Sequence, residues 1–165
     1  MPATDTSTTI TTRGELEIVQ ERVFDAPREL VFMTLNDPDL IPKWWGPSYL
    51  TTTVEKMDVR PGGAWRYVQR APDGGEHAFN GKYIEVVAPE RVVLTFNYEG
   101  IPGDHEAIST LVLDDEEGKT RMISTMVFKT TEDRDGMVQS GMESGARETD
   151  DRLAALLEEL KKTQQ

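Results

Sequence analysis

Between residues 50 and 129 the sequence alternates apolar and polar side chains in six consecutive segments, and this pattern constrains the fold more than any other feature. A period of two predicts β-strands with one buried face. Short separators rich in turn-forming residues, such as Pro61-Gly62-Gly63 and Asp73-Gly74-Gly75, divide the segments. Such short separators favour antiparallel neighbours, because a parallel pair needs a longer crossover. The predicted strands cover residues 50–59, 63–71, 77–87, 91–98, 106–113 and 119–129.

After residue 134 the apolar spacing becomes helical and predicts one C-terminal helix of about 28 residues, roughly 40 Å long. Its stripe consists of Val138, Met142, Ala146, Thr149, Leu153, Leu156, Leu157 and Leu160. So long a helix needs packing along one face, and the apolar face of the sheet is the available partner. The helix should therefore lie across the sheet.

The region before residue 50 adds one strand and two short helices. Residues 15–24 read as a strand, and the start signals Asp25-Ala26-Pro27 and Asp37-Pro38 each predict a short helix. The expected fold class is α+β: a seven-stranded curved antiparallel sheet around a long C-terminal helix. The two short helices lie between the first and second strands.

The length of 165 residues fits one domain, since domains average about 150 residues. We assign that domain to residues 15–162. Residues 1–14 are polar and rich in Thr, which predicts a disordered tail, although an edge strand remains open. The chain has no secretory signal pattern and no apolar run long enough for a bilayer, so we expect a cytoplasmic protein without membrane insertion.

Charge and composition exclude several kinds of protein. A formal net charge of −12 argues against binding nucleic acid, which requires clustered Lys and Arg. The absence of Cys excludes thiol chemistry, and neither a metal site nor a cofactor site is predicted. Residues 99–118 contain seven acidic side chains and no Lys or Arg. We interpret this stretch as solvated loop charge, with a divalent cation or a basic partner as the alternative.

The first half of the predicted C-terminal helix is unusually rich in small residues. Gly136, Gly141, Gly145 and Ala146 occupy positions where a core helix normally carries bulk, and glycine costs about 1 kcal/mol relative to alanine there. Small residues opposite an aromatic sheet face would leave a cavity for an apolar ligand, although close helix–sheet packing would also explain them. The predicted ligand-binding residues are Trp44, Trp65, Tyr67, Phe79, Tyr83, Phe96, Met126, Met142 and Ala146.

Candidates for catalysis are few. The nucleophile-elbow and phosphate-loop patterns are absent, so no catalytic residue is assigned. His77 and His105 each begin a predicted strand, and a general base there is an alternative. Glu85 shares its strand parity with Tyr83 and would point into the core unless a bulge intervenes. Arg66 completes the set that an enzyme could use.

The order of several short motifs resembles the SRPBCC superfamily, and within it the bacterial branch related to the activator of the heat-shock chaperone ATPase. The motifs are Val23-Phe24-Asp25-Ala26-Pro27, Trp44-Trp45-Gly46-Pro47, Pro61-Gly62-Gly63, Trp65-Arg66-Tyr67, Gly81-Lys82-Tyr83 and Gly141-Met142-Glu143-Ser144-Gly145. The resemblance implies the helix-grip fold with a hydrophobic cavity. Relatives commonly carry Trp and Leu where this chain has Ala146 and Thr149, which implies a roomier and more polar cavity.

Three functions follow as hypotheses. The first is binding of a small hydrophobic or aromatic ligand, such as a lipid or polyketide, with a stress- or chaperone-related role implied only by the resemblance. The second is an enzyme resembling a polyketide cyclase or a hydrolase. The third is a co-chaperone-like interaction module or homodimer that uses Trp44, Trp45 and the acidic loops.

Overall fold

The computed structural model describes residues 7–163, which form eight β-strands and four α-helices. The strands are β1 (Thr9–Arg13), β2 (Glu17–Phe24), β3 (Thr51–Met57), β4 (Ala64–Arg70), β5 (Glu76–Val87), β6 (Arg91–Tyr98), β7 (Ala107–Glu116) and β8 (Lys119–Val127). The helices are α1 (Arg28–Leu35), α2 (Ile41–Trp44), α3 (Thr131–Gln139) and α4 (Met142–Thr163). All six strands predicted between residues 50 and 129 are present, and the α+β class is confirmed.

One antiparallel sheet contains all of these strands in the order β1-β2-β8-β7-β6-β5-β4-β3. Strands β3 to β8 form the predicted meander, and β2 joins it beside β8. Helices α1 and α2 connect β2 to β3, so the two short helices stand where the sequence predicted them. The first long strand, β2, thereby pairs with the last strand, β8.

The number of strands differs from the prediction of seven, because residues 9–13 form the edge strand β1. The prediction of a disordered tail over residues 1–14 is therefore wrong for this segment, while residues 1–6 lie outside the described part of the chain. Thr8 shows why the segment is held. It is 2 % exposed, and its hydroxyl donates to Asp150 Oδ2 of α4 at 2.8 Å. The guanidinium of Arg147 also donates to the Thr8 carbonyl.

The prediction of a single long C-terminal helix is also wrong, because this region forms two helices, α3 and α4. Gly141 lies between them with φ +84°, a left-handed conformation that favours glycine. Thr130 caps α3 by accepting a hydrogen bond from the Asp133 amide at 3.0 Å. Arg134 of α3 donates to the carbonyls of Gly14 and Glu17, where β1 connects to β2.

Helix α4 packs on the concave face of the sheet through leucines that the stripe predicted. Leu153 and Leu157 are almost completely buried, together with Val31 of α1 and Trp65 of β4. Burial of each such side chain stabilises the fold by about 1.5–3 kcal/mol. Within residues 7–163, no helix is long and apolar enough to cross a membrane.

Candidate functional site

A chamber of about 450 Å³ lies between the concave face of the sheet and the first half of α4. We call it the main chamber. Its sheet side carries Phe79 and Phe96, its helix side carries Gly145 and Ala146, and the Trp45-to-Pro47 loop closes one end. The remaining lining residues are Ile18, Gln20, Leu35, Trp44, Gln69, Leu111, Met122, Ser124, Met126, Met137, Met142, Thr149, Asp150 and Leu153.

A smaller inner chamber of about 210 Å³ adjoins it under α1 and α2. Trp44, Phe96 and Met126 line both chambers, so the two share a wall. Burial raises the pKa of the phenol of Tyr67, and it raises that of Tyr83 to about 12. Both hydroxyls therefore stay protonated at neutral pH and present no negative charge to the inner chamber.

The structure brings all nine predicted ligand-binding residues to these two chambers. Phe79, Met142 and Ala146 line the main chamber, whereas Trp65, Tyr67 and Tyr83 line the inner one, and the other three line both. This placement follows from strand parity, because alternate residues of β4, β5 and β6 face the helix. Their contact with a ligand is a proposal that we argue below.

Trp45 is a lining residue that the predicted set omitted. Its ring meets Tyr67 and Phe79 edge-on, with centroid distances of 5.0 and 5.2 Å. Of the two adjacent tryptophans, Trp44 is the more buried. No signal in the sequence indicated that Trp45 turns back over the aromatic face.

Arg152 of α4 fixes the backbone of this tryptophan loop. Its guanidinium donates to the carbonyls of Gly46 at 2.6 Å and Lys43 at 3.0 Å. The Thr52 hydroxyl donates to the Trp45 carbonyl at 3.1 Å. These bonds hold the loop between α4 and β3, so the end wall of the main chamber is fixed by hydrogen bonds to two neighbouring elements.

The main chamber also has polar lining that the sequence did not reveal. Gln69 is 5 % exposed and its amide makes no hydrogen bond to any residue from 7 to 163. Asp150 is 2 % exposed, and its Oδ2 accepts from Thr8 and from Gln20 Nε2, each at 2.8 Å. Burial raises the pKa of the Asp150 carboxyl, against the opposing effect of those bonds. Ala146 and Thr149 both line this chamber, and its being roomier and more polar than in relatives stays a prediction.

An outer chamber of about 820 Å³ lies beneath α3 and shares Phe79, Phe96 and Met137 with the main chamber. His105 stands at its edge. The imidazole Nδ1 lies 2.8 Å from Asp133 Oδ1 of α3, and Nε2 lies 3.0 Å from the Pro102 carbonyl. Both neighbours are acceptors, so the arrangement is best satisfied by the protonated imidazolium. His105 thus joins the loop before β7 to α3.

We predict a pH-dependent contact at this place. The hydrogen bond to Asp133 raises the pKa of His105 above its ordinary value of 6.5. Because the folded-state pKa is the higher one, the contact stabilises the fold fully below pH 6.5 and is lost as pH rises through the folded value. An NMR titration of the His105 ring should show a midpoint above 6.5, and Asp133→Asn should lower it. A midpoint at or below 6.5 in the unmodified protein would contradict the prediction.

The other catalytic candidates lie away from the main chamber. Arg66 forms ion pairs with Glu55 and with Glu99, and the Arg66 Nη2 to Glu99 Oε1 distance is 2.9 Å. His77 Nδ1 lies 2.9 Å from the Tyr98 hydroxyl. Glu85 pairs with Arg91 at 2.9 Å on the surface, because a bulge between Tyr83 and Glu85 reverses its direction. None of these three side chains lines the main or inner chamber.

The small residues at the four C-terminal positions are explained by different features of the structure. Gly145 and Ala146 line the main chamber, and a Cβ added at Gly145 would meet no atom within 4 Å. Gly136 lines the outer chamber and has equally open surroundings. Gly141 is explained by its positive φ and not by a cavity. The cavity interpretation therefore holds for three of the four positions.

Three of the seven acidic side chains in the stretch 99–118 form ion pairs with described residues of the chain. Asp104 contacts Lys129, Glu116 lies 2.5 Å from Arg121, and Glu99 receives Arg66 together with the Asn80 amide. The Arg66 contact lowers the pKa of Glu99 to about 2. Among the described residues, no group of three or more His, Cys, Asp or Glu is placed to hold a metal ion.

A curved antiparallel sheet that holds a long helix, with an apolar chamber between them, defines the helix-grip class of the SRPBCC superfamily. The profile of the family described as "Activator of Hsp90 ATPase homolog 1-like protein" matches residues 25–158. The chain belongs to this family.

Solved structures agree with the assignment. A protein from Rhodobacter sphaeroides is 26% identical, with a TM-score of 0.86 over 92% of this chain and 97% of its own. A protein from Arthrobacter aurescens is also 26% identical, with a TM-score of 0.83 over 92% and 91%. CalU16 from Micromonospora echinospora is 22% identical, with a TM-score of 0.62 over 91% and 83%, and shares the fold. No curated protein matches the sequence significantly.

Proposed function

We propose that this protein binds a small, largely apolar ligand in the main chamber. The observation that carries the proposal is the chamber itself: about 450 Å³ left open between aromatic strands and a helix face of small residues. Protein interiors normally pack at a density that leaves few voids larger than a water molecule. Apolar concave sites of a few hundred Å³ are the usual form of small-molecule sites.

The rigidity of the walls supports the same proposal. The rings of Trp45, Phe79 and Phe96 contact each other edge-on or tilted, at 5.2 and 5.6 Å, and the Arg152 bonds hold the loop behind them. A preformed site loses little conformational freedom when a ligand enters. Family membership supports binding of a hydrophobic ligand as well, since that is what the helix-grip superfamily implies.

The alternative functions have less support. A cyclase or hydrolase acting in the main chamber would need a general acid or base there. Of the four candidate side chains, only His105 borders a chamber, and that is the outer one. Among the described residues, the one ionisable side chain that lines the main chamber, Asp150, already accepts two hydrogen bonds at Oδ2. A charge-driven interaction module would use the acidic stretch, but Lys129, Arg121 and Arg66 already pair with three of its seven carboxylates.

Native mass spectrometry of freshly purified protein tests the proposed function. We expect a fraction of the protein to carry one small molecule that is released on denaturation. In parallel, the neutral fluorescent probe N-phenyl-1-naphthylamine should bind with a stoichiometry of one and gain fluorescence in the apolar chamber. If no molecule is retained and the probe shows no saturable binding, the proposal is contradicted. The same spectrum reports whether two copies of the chain associate.

A further inference from the structure

The main chamber has almost no charge. Among its lining residues, Asp150 is the single ionisable side chain, and no Lys, Arg or His reaches the lining. The cation that joins this network is Arg22, which does not line the chamber: its Nη1 donates to Asp151 at 2.6 Å and to Thr8 at 3.3 Å. A ligand carboxylate or sulfonate in the chamber would therefore have no positive partner.

Asp150 makes the chamber still less suitable for an anion. Its carboxyl is buried, and its Oδ2 already accepts two hydrogen bonds, from Thr8 and Gln20. An ionised Asp150 would repel a ligand anion across a low-dielectric space, and a protonated one would supply no positive charge. In both states, an anionic ligand would lose its hydration without gaining a cation as partner.

Hydrogen-bonding capacity is nevertheless left open in the same chamber. The amide of Gln69 lines it, is 5 % exposed, and makes no bond within the described residues. The buried Trp44, which is 8 % exposed, has an indole Nε1 that also lacks a partner there. A Cβ built on Gly46 would lie 1.9 Å from Gln69 Nε2, so the absence of a side chain at residue 46 makes room for the amide.

Buried polar groups are nearly always paired in folded proteins, so an unpaired amide facing a chamber indicates a ligand group that completes it. We infer that the ligand of the main chamber is a neutral molecule with an aromatic or alicyclic body and a hydroxyl, carbonyl or amine group that bonds to Gln69. Fatty acids and other organic anions are excluded. This inference rests on the proposed function and narrows it to a chemical class.

Two fluorescent probes with the same ring skeleton test the class. N-phenyl-1-naphthylamine is neutral, and 8-anilinonaphthalene-1-sulfonate adds one sulfonate. Binding is attributed to the chamber only where Ala146→Trp removes it. We expect the neutral probe to bind there at least about tenfold more tightly than the sulfonate. Equal or tighter chamber binding of the sulfonate would overturn the ligand class and leave the proposed function standing.

Substitutions at Gln69 test whether the lack of a positive charge, and not the apolar character of the chamber, weakens binding of the sulfonate probe. Gln69→Lys places an ammonium group in the chamber and should raise its affinity for the sulfonate at least about tenfold over Gln69→Leu, the uncharged control of similar size. Circular dichroism checks that both variants fold. Failure of the lysine variant to gain affinity would show that the missing cation is not what excludes anions.

The molecule retained after purification gives an independent reading. An uncharged molecule with a hydroxyl, carbonyl or amine group supports the inferred ligand class, and a carboxylic acid overturns it. If neither probe binds and nothing is retained, the proposed function itself fails, and the ligand class fails with it.

Discussion

Replacing Ala146 with Trp should abolish binding of N-phenyl-1-naphthylamine in the main chamber while the fold is retained. Ala146 lies on the chamber face of α4, beside Gly145 and opposite Phe79 and Phe96. An indole at this position would fill space that the ligand needs and would pack on the sheet aromatics. We expect the affinity to fall at least about 100-fold, which corresponds to about 2.7 kcal/mol. Fluorescence titration measures the loss, and thermal unfolding should show an unchanged or higher Tm.

Ala155→Trp is the matched control, because it makes the same substitution on the exposed side of the same helix. Residue 155 is absent from the lining of all three chambers, so this variant should bind the probe as the unmodified protein does. Unchanged affinity in Ala146→Trp, or an equal loss in Ala155→Trp, would show that the probe binds elsewhere.

The parts of the fold that were predictable from the sequence are those with a strong hydrophobic period. Alternation over residues 50–129 predicted β3 to β8, and the leucine stripe predicted the buried face of α4. The same parity argument placed Phe79, Phe96 and Met126 on the chamber side. These predictions succeed because burial of one face decides register and orientation together.

Other parts depend on single long-range contacts, which leave no periodic signal. Strand β1 has one aliphatic side chain, Ile10, and is tied down by Thr8 to Asp150, 142 residues away. The break before α4 depends on one positive φ at Gly141. Composition alone therefore predicted disorder in the first case and a continuous helix in the second.

The polar lining of the candidate site was missed for a related reason. Gln69 and Asp150 look like ordinary polar positions in a strand and a helix, since neither belongs to a motif. A weak signal existed for Gln69, because it shares strand parity with Trp65 and Tyr67, two of the predicted ligand-binding residues. The stripe gave a similar hint for Asp150, which stands four residues after Ala146 and three before Leu153.

Gly81→Ala should strongly destabilise the sheet. A Cβ at residue 81 of β5 would lie 1.9 Å from the Thr95 carbonyl oxygen and 2.6 Å from Trp65 Nε1. Those two atoms form a hydrogen bond of 3.2 Å that holds the buried indole of Trp65 in the wall of the inner chamber. Backbone must therefore move, or the hydrogen bond must break, and both displace a core side chain.

We expect this substitution to lower the free energy of unfolding by about 3 kcal/mol, at the upper end of the range for overpacked cores. For a chain of this length the Tm should fall by about 6–12 °C. Chemical denaturation monitored by tryptophan fluorescence measures the free energy directly. Probe affinity should fall as well, because the walls of the two chambers share Trp44 and Phe96.

Gly136→Ala is the matched control, and we expect it to have the opposite effect on stability. Gly136 lies in α3 with nothing within 4 Å of an added Cβ, and its φ is not positive. The alanine should stabilise the protein by about 0.5–1 kcal/mol through helix propensity. A loss of stability at Gly136, or a tolerated alanine at Gly81, would contradict the packing described here. The opposite signs separate a glycine kept for close approach of the Thr95 backbone from one that is dispensable to the fold.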